Sequence, residues 1–243
     1  MQYGQFHYLP VSPLFFAILT GLFLFLLIFI QLGLLRYAYM RLGLSSGAAL
    51  LLLFASLVGS FFNIPIAQLP AQQVVSGREI EFFGMVYLVP EMVRAPSTTI
   101  AVNVGGALIP TAVSLFLLVR HGLWLRGAVA TLVVAIVCYA LSQPIRGLGI
   151  AEPVFVPALT SAVVAIILSR EYAAPLAYIG GSLGTLIGAD LLNLGSVGGL
   201  GAPVASIGGA GTFDGIFLIG IVSVLIASLS TWWVTPHAPP HAA

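Results

Sequence analysis

Apolar runs of about 20 residues recur along this chain, and short segments that carry most of the charge separate them. A run of that length is what a helix needs to cross the hydrocarbon core of a bilayer. Charged residues make up 6% of the sequence, against roughly 25% in an average soluble domain. Because so little charge cannot cover a water-exposed surface, the sequence predicts an all-α integral membrane protein and excludes a soluble globular domain.

The apolar runs predict about seven transmembrane helices in one membrane domain, residues 1–243. The first run is too long for a cleavable signal peptide and lacks its basic start and Ala-x-Ala site, so we expect a retained span. The end of the chain, residues 236–243, is rich in proline and histidine and is predicted to be disordered. The predicted spans are residues 14–35, 47–66, 100–119, 123–141, 151–168, 176–194 and 213–233.

The segment between the second and third spans, about residues 68–99, differs from the rest of the chain. Residues 78–90 are rich in β-forming side chains with partial alternation, and residues 98–102 form a candidate second strand. The segment also holds three of the seven acidic residues, Glu79, Glu81 and Glu91, which need water. The sequence therefore predicts a small extramembrane β-hairpin here.

The distribution of arginine predicts how the chain is oriented in the membrane, because cytoplasmic loops are enriched in basic residues. An external N-terminus and a cytoplasmic C-terminus place more arginines inside than outside. The predicted location is therefore the cell (inner) membrane in that orientation. The inner loops then hold Arg36, Arg41, Arg120, Arg126 and Arg170, and the outer loops hold Arg78, Arg94 and Arg146.

Several classes of partner and cofactor are not expected. The net charge is +1 and the chain has no lysine, so no basic patch points to nucleic acid. The single cysteine, Cys138, excludes disulfides and cysteine-rich metal sites, and the scattered histidines lack metal-ligand spacing. We therefore expect no metal and no cofactor, with the lipid bilayer as the main partner; the oligomeric state is open.

Two acidic residues, Asp190 and Asp214, lie in apolar surroundings at the ends of the sixth and seventh spans. Ionisable groups inside a membrane are costly, which makes each a candidate functional residue. Because consecutive spans are antiparallel, the two acids are expected at similar depth near the outer face. Carboxylates at close range share a proton, and such a pair can act as acid and base on one water molecule. Alternatively, each aspartate caps a helix end or bonds a neighbouring hydroxyl, and capping is a strong competitor for Asp214.

The loop between these acids, residues 195–211, is rich in glycine and is called the glycine-rich segment below. Non-helical backbone at membrane depth is tolerated only where it lines a cavity or packs against protein. The segment is therefore interpreted either as a re-entrant lining of a substrate or ion site or as a loose outer loop. It lacks the Lys-Ser/Thr pair that ends a phosphate-binding loop, which excludes nucleotide binding. The glycines that would line a site are Gly208, Gly209 and Gly211.

Small residues Ala177, Gly181, Gly184 and Gly188 form a stripe along the sixth span, which indicates close helix packing. On an ideal helix Asp190 lies on roughly the opposite side from Gly188, so it would face another partner or a cavity.

Two polar pairs flank the spans. Arg146 and Glu152 come before the fifth span, on the same predicted outer side as the two aspartates. They are interpreted as an interfacial salt bridge, with Arg146 as counter-ion to an aspartate as the alternative. Asn63 and Asn103 lie at span ends, where hydrogen bonding to helix termini is expected.

In residues 188–194 and 206–217 the sequence resembles a prokaryotic membrane family, DUF1614. The resemblance covers most of the chain. That resemblance implies a membrane protein but no function.

A second resemblance is to presenilin-type intramembrane aspartyl proteases, which have Tyr-Asp, Gly-x-Gly-Asp and Pro-Ala-Leu on successive spans. Ala189 and Asp190 are similar to the first element, with alanine in place of tyrosine, and residues 212–214 to the second, with Phe213 in place of glycine. The third element precedes both acids instead of following them. The resemblance implies Asp190 and Asp214 as the catalytic pair, a transmembrane peptide as substrate, and a substrate groove shaped by Pro157, Ala158 and Leu159.

Three functions are therefore open. The leading hypothesis is an intramembrane aspartyl protease that uses the two acids. The second is an ion- or proton-coupled transporter of small molecules, because broken glycine-rich helices and intramembrane acids also describe a coupling site. The third is a non-catalytic membrane scaffold or sensor that works through the hairpin.

Overall fold

The computed structural model describes residues 18, 20–26, 42–82, 85–95, 97–145, 149–153, 155–199, 202–209 and 215–231. Most of these residues are helical, including residues 20–26 within the first predicted span. The helices with complete bounds are α1 (Ser46–Gly59), α2 (Ile109–His121), α3 (Trp124–Leu141), α4 (Phe155–Leu168), α5 (Ala173–Thr185) and α6 (Gly215–Thr231). The strands are β1 (Asn63–Leu69), β2 (Gln72–Phe82), β3 (Met85–Ala95), β4 (Thr98–Asn103), β5 (Gln143–Ile145), β6 (Gly149–Ala151) and β7 (Val204–Ile207). The tail predicted to be disordered lies outside the described residues.

Two helical stretches among the described residues are long and apolar enough to cross a membrane. They are Val104–His121, with mean hydropathy 1.5, and Trp124–Leu141, with mean hydropathy 1.9. Phe155–Leu168 and Leu218–Leu229 are apolar but shorter. The helical class is therefore confirmed with two candidate spans, whereas seven transmembrane helices stay a prediction.

Helix α3 has its large apolar side chains on the outside and its small ones within. Leu125 is 80% exposed and Leu132 61%, whereas Ala130 and Val134 are fully buried against other helices. A core helix of a water-soluble protein would hide its leucines, because each buried leucine gains about 2 kcal/mol by leaving water. The exposed leucines of α3 therefore need an apolar surrounding outside the protein.

The second and third predicted spans are shorter as helices than expected, because strands replace their ends. Helix α1 ends at Gly59, and strand β1 begins at Asn63. Strand β4 continues to Asn103, so the third helical stretch begins at Val104 with one wide turn, Val104–Leu108. Strands β1 and β4 pair with each other in antiparallel orientation, which satisfies backbone groups that helices would otherwise have paired internally.

The predicted β-hairpin is present, but its strands pair differently. Strands β2 and β3 pair with each other along their whole length, from Gln72 opposite Ala95 to Phe82 opposite Met85. The single strand predicted over residues 78–90 was therefore wrong, because the chain reverses between β2 and β3. The second predicted strand, β4, instead lies between β1 and β7 in a separate three-stranded sheet.

The small-residue stripe on α5 packs closely against neighbouring helices, as the sequence predicted. A Cβ atom added at Gly184 would lie 2.5 Å from Val134 Cβ of α3. A Cβ atom at Gly181 would lie 2.7 Å from Ser223 Oγ of α6. Alternate glycines thus let α5 approach α3 on one side and α6 on the other.

Gly184→Ala is expected to destabilise the protein by about 1–3 kcal/mol, because the added methyl group overpacks the α3–α5 contact. Thermal unfolding of the purified protein in detergent measures this loss. Gly195→Ala is the matched control, since nothing lies within 4 Å of a Cβ atom at Gly195. The double variant with Val134→Ala should recover most of the loss; no recovery would contradict the steric explanation.

Candidate functional site

Asp190 lies in a widened turn that follows α5. The turn, Leu186–Leu191, has the i→i+5 hydrogen-bonding pattern of a π-helix, and Leu192 N–H donates to the Ile187 carbonyl at 3.0 Å. Asn193 Nδ2 donates to the carbonyls of Gly188 (3.1 Å) and Ala189 (3.0 Å) and so satisfies backbone oxygens where the helix ends. Because such a turn holds more residues than an α-helical turn, Asp190 is rotated away from the position that an ideal α-helix would give it, towards the side of Thr185.

The Asp190 carboxylate holds the glycine-rich segment against this turn. Gly208 N–H donates to Asp190 Oδ2 at 2.6 Å, a short charge-assisted hydrogen bond. An amide N–H can only donate, so Oδ2 is the acceptor, and this bond favours the unprotonated oxygen at that position. Through this bond Asp190 connects the end of α5 to the glycine-rich segment, 18 positions further along the chain.

The described part of the glycine-rich segment is ordered against the protein and is not a loose loop. Residues 204–207 form β7, which pairs in parallel with β4 from Thr99 opposite Val204 to Val102 opposite Ile207. Ile207 is 6% exposed and packs in a cluster with Leu186, Ala107 and Ile216. Residues 202–209 therefore do not form a loose outer loop, whereas the lining of a substrate or ion site stays a prediction.

Gly208 occupies a position that other residues cannot. Its φ is +83°, in the left-handed region that favours glycine. A Cβ atom at this position would lie 2.5 Å from the Ala107 backbone nitrogen. The close approach brings the Gly208 amide to the Asp190 carboxylate, so the glycine is needed for this contact.

Two asparagines and a serine connect the three strands beside the Asp190 site. Asn63 Oδ1 accepts hydrogen bonds from Asn103 Nδ2 (3.1 Å) and Ser206 Oγ (2.5 Å). Asn103 Nδ2 also donates to the Ser60 carbonyl (2.8 Å), and Asn103 Oδ1 accepts from Gly106 N–H (2.9 Å). The predicted role of both asparagines at helix ends is confirmed for Asn103, and the same network fixes β7 two residues before Gly208.

Asn103→Ala is expected to cost at least about 2 kcal/mol of unfolding free energy, because it leaves several buried polar partners without a hydrogen bond. Ser45→Ala is a matched control, since Ser45 caps α1 through an exposed hydrogen bond to Ala48 N–H (3.2 Å). The control should lose about 1 kcal/mol or less. Denaturant titration in mixed micelles compares the two; equal losses would contradict a central role for Asn103.

A second polar group lies at the same end of α3 and α5. Cys138, in the last turn of α3, is 1% exposed, and its Sγ lies 3.7 Å from Thr185 Oγ1. The Glu152 carboxyl is within hydrogen-bonding reach of the Cys138 thiol. Glu152 Oε1 is buried and has no hydrogen-bond partner among the described residues. Burial raises the pKa of Glu152 above its usual range, and the Cys138 hydrogen bond offsets this only in part.

The raised pKa of Glu152 makes the unfolding free energy depend on pH. Because the folded state holds the Glu152 proton more tightly than the unfolded chain does, the stability falls as pH rises from the ordinary carboxyl pKa through the folded-state pKa. Glu152→Gln cannot ionise and should lose this dependence. We expect Glu152→Gln to be no more stable than the wild type in acid but more stable above the folded-state pKa, as measured by thermal unfolding across a pH series. A constant difference at every pH would contradict the assignment.

The structure brings together only some of the residues predicted for a site. Gly208 and Gly209 lie beside Asp190, and Glu152 lies at the same end of the helices. Pro157 and Ala158 are buried in helix packing, Leu159 is 56% exposed, and the substrate groove assigned to these three residues stays a prediction. The predicted site residues Asp214, Gly211 and Arg146 lie outside the described residues, as does the Arg146–Glu152 salt bridge.

Sequence reasoning did not assign Ser206, Thr185 or Cys138 to a polar cluster. Each is a single small polar residue in an apolar run, and only the packing of distant segments gives it a partner. No three His, Cys, Asp or Glu side chains in the described ranges lie close enough together to hold a metal ion.

Comparison with known protein families shows to which family this chain belongs. The sequence model of the family described as "Protein of unknown function (DUF1614)" matches residues 57–226, from within α1 to within α6. The chain belongs to the DUF1614 family. The family match therefore covers every element of the Asp190 site. No curated protein matches the chain significantly, and neither does any solved structure. The resemblance to presenilin-type proteases is not supported by these comparisons.

Proposed function

We propose that this DUF1614 protein is an integral protein of the cell membrane that hydrolyses a transmembrane peptide, with Asp190 and Asp214 as its acid pair. The observation that carries the proposal is the hydrogen bond from Gly208 N–H to Asp190 Oδ2. It ties Asp190 to the segment that leads, six residues later, to Asp214. The proposal therefore pairs two acids that come from different predicted spans of the sequence.

The membrane location is supported by the outward-facing leucines of α3 and by the two long apolar stretches. A lipid environment removes the cost of exposing these side chains, since lipid tails are as apolar as leucine. An external N-terminus and cytoplasmic C-terminus remain part of the proposal. Labelling of single cysteines placed in the loops, from each side of sealed vesicles, tests this orientation.

The chemistry follows from the protonation states that the site permits. Since Asp190 Oδ2 accepts from an amide, which favours the unprotonated oxygen, the proposal places the shared proton on Asp190 Oδ1 or on Asp214. The ionised carboxylate takes a proton from water, and the water oxygen attacks the carbonyl carbon of the peptide bond. The protonated partner gives its proton to the carbonyl oxygen. Collapse of the resulting diol breaks the C–N bond and transfers a proton to the leaving amine.

The position of β7 supports a peptide as the substrate. Among the described strands, β7 lies at the edge of its sheet, in the order β1-β4-β7, and ends next to Gly208. An edge strand offers backbone groups that bind an extended peptide in any sequence. A peptide unwound beside β7 would have its backbone close to Asp190.

Cleavage of labelled transmembrane peptides by the full-length protein in proteoliposomes tests the proposal. A peptide analogue with a hydroxyl group in place of the scissile carbonyl should inhibit, because it resembles the diol intermediate. The matched control is the same analogue with a methylene in place of the hydroxyl-bearing carbon. Failure to cut any peptide of a broad panel, together with no binding of the hydroxyl analogue, would overturn the proposal.

A second candidate function, proton-coupled transport of a small molecule, is favoured by one observation. Glu152 is an acidic group with a buried, unpaired oxygen at the same end of the helices as Asp190. Acids in this setting are typical of proton-coupling sites. Solute uptake into proteoliposomes that is driven by a pH gradient and lost in Glu152→Gln would support transport over hydrolysis.

A further inference from the structure

Three polar side chains, those of Glu152, Cys138 and Thr185, follow one another across the α3–α5 contact, and Asp190 lies one widened turn beyond Thr185. The line begins at Glu152, which precedes α4 and adjoins the exposed Pro153. It continues through Cys138 Sγ and Thr185 Oγ1, 3.7 Å apart, at positions that are 1% and 2% exposed. The π-helical turn Leu186–Leu191 holds more residues than an α-helical turn, so we expect Asp190 to follow Thr185 on roughly the same side of the helix.

The packing around this line is close enough to keep its members in place. Gly188 packs directly on Cys138, since a Cβ atom at Gly188 would lie 2.8 Å from Cys138 Cβ. Asp190 is also near enough to the Cys138 thiol to act on it electrostatically. The remaining buried surroundings are apolar, as in the cluster of Val134, Cys138 and Ala189. In apolar packing, a polar side chain with an unpaired oxygen costs folding free energy, which indicates that such a group has a functional role.

We propose that Glu152, Cys138 and Thr185 form a proton path that connects the aqueous surface at the β5–β6 hairpin with Asp190. The path extends the proposed function and rests on it. Its role in that function is to set the protonation state of the acid pair. Glu152 takes a proton from water at the surface and later passes one inward. Asp190 receives that proton. In each transfer Glu152 changes from the carboxylic acid to the carboxylate, and Asp190 changes from the carboxylate to the carboxylic acid.

The intermediate groups relay the proton without becoming charged. A hydroxyl or thiol can accept a proton at its lone pair while it gives up the proton it carries. Thr185 and Cys138 can therefore pass a proton as neutral groups, and no thiolate is needed. Other titratable groups near the path are few on the described elements: Tyr139 is 53% exposed and faces outward, and Arg126 lies at the opposite end of α3.

Time-resolved infrared spectroscopy on the full-length protein in proteoliposomes tests the path directly. The carboxylic C=O band of Asp190 is assigned by its absence in Asp190→Asn, and its growth is followed after a downward pH jump. We expect Glu152→Gln, Cys138→Ala and Thr185→Val each to slow protonation of Asp190 by about tenfold or more. Cys138→Ser and Thr185→Ser keep a relaying hydroxyl and should retain most of the wild-type rate.

Ser142→Ala is the matched control, because Ser142 Oγ donates to the Cys138 carbonyl at 2.7 Å but lies off the path. Its Asp190 band should grow at the wild-type rate. Equal rates in all variants would overturn the proposal, and so would a wild-type Asp190 that does not change protonation. If Glu152→Gln does not fold, the pairs Cys138→Ala with Cys138→Ser and Thr185→Val with Thr185→Ser decide the question. If the variants slow the growth of the Asp190 band but the wild-type protein cleaves no peptide, the proton path is supported and the hydrolysis proposal is refuted.

Discussion

Asp190→Asn is expected to lower peptide cleavage by about 10³-fold or more, because the variant keeps the shape of the site but cannot exchange a proton. The amide oxygen of asparagine can still accept the hydrogen bond from Gly208 N–H, which holds the glycine-rich segment in place. The unfolding free energy of this variant should therefore stay close to that of the wild type. The measurement is single-turnover cleavage in proteoliposomes, with thermal unfolding as the check on folding.

Asp190→Ala separates the chemical role of the carboxylate from its structural role. This variant removes the acceptor, so the Gly208 amide loses its partner at a cost of about 1–3 kcal/mol. We expect both alanine and asparagine variants to be inactive, but only the alanine variant to be destabilised. Undiminished cleavage by Asp190→Asn would exclude Asp190 from the chemistry.

Asp214→Asn provides the third comparison. If the two acids share one proton, each single asparagine variant should lose as much activity as the double variant, because residues that act as a unit are not additive. Losses that multiply in the double variant would show that the two acids act independently.

Gly208→Ala is expected to cause a large loss of stability, about 3 kcal/mol or more. Two causes add. The left-handed backbone at φ +83° disfavours any side chain, and the new Cβ would lie 2.5 Å from the backbone nitrogen of Ala107. Because that nitrogen belongs to the backbone, it cannot rotate away as a flexible side chain would.

Gly122→Ala is the matched control for the first cause. Gly122 ends α2 with φ +62°, but nothing lies within 4 Å of a Cβ atom there. Its substitution should cost about 1–2 kcal/mol, the price of the left-handed backbone alone. Denaturant titration of both variants in mixed micelles measures the difference. Similar losses for the two would show that the close approach of Gly208 to Ala107 is relaxed at little cost.

Gly208→Ala should also abolish the function of the site, whereas Gly122→Ala should not. Displacement of the Gly208 amide removes the hydrogen bond to Asp190 and shifts the segment that leads to Asp214. Cleavage at a wild-type rate by a folded Gly208→Ala protein would contradict the link between this glycine and the acid pair.

The sequence alone determined the properties that depend on local composition. It predicted helix α3 over residues 123–141, and the structure places that helix at Trp124–Leu141, because a long apolar run leaves the backbone no alternative to internal hydrogen bonds. It also selected Asp190, since an acid with apolar flanks is conspicuous without any knowledge of its contacts. The close packing of Gly184 followed from its spacing on one helix face.

Only the tertiary structure decided which distant segments meet. The hydrogen bond between Ser206 and Asn63 joins residues 143 positions apart, and β7 pairs with a strand about a hundred residues earlier. Neither partner carries a local signal, because a short apolar strand and a lone serine look alike in any apolar run. The widened turn Leu186–Leu191 breaks the α-helical repeat, so helix periodicity could not predict where Asp190 lies. Local chemistry thus identified the acid, whereas long-range packing determined what that acid contacts.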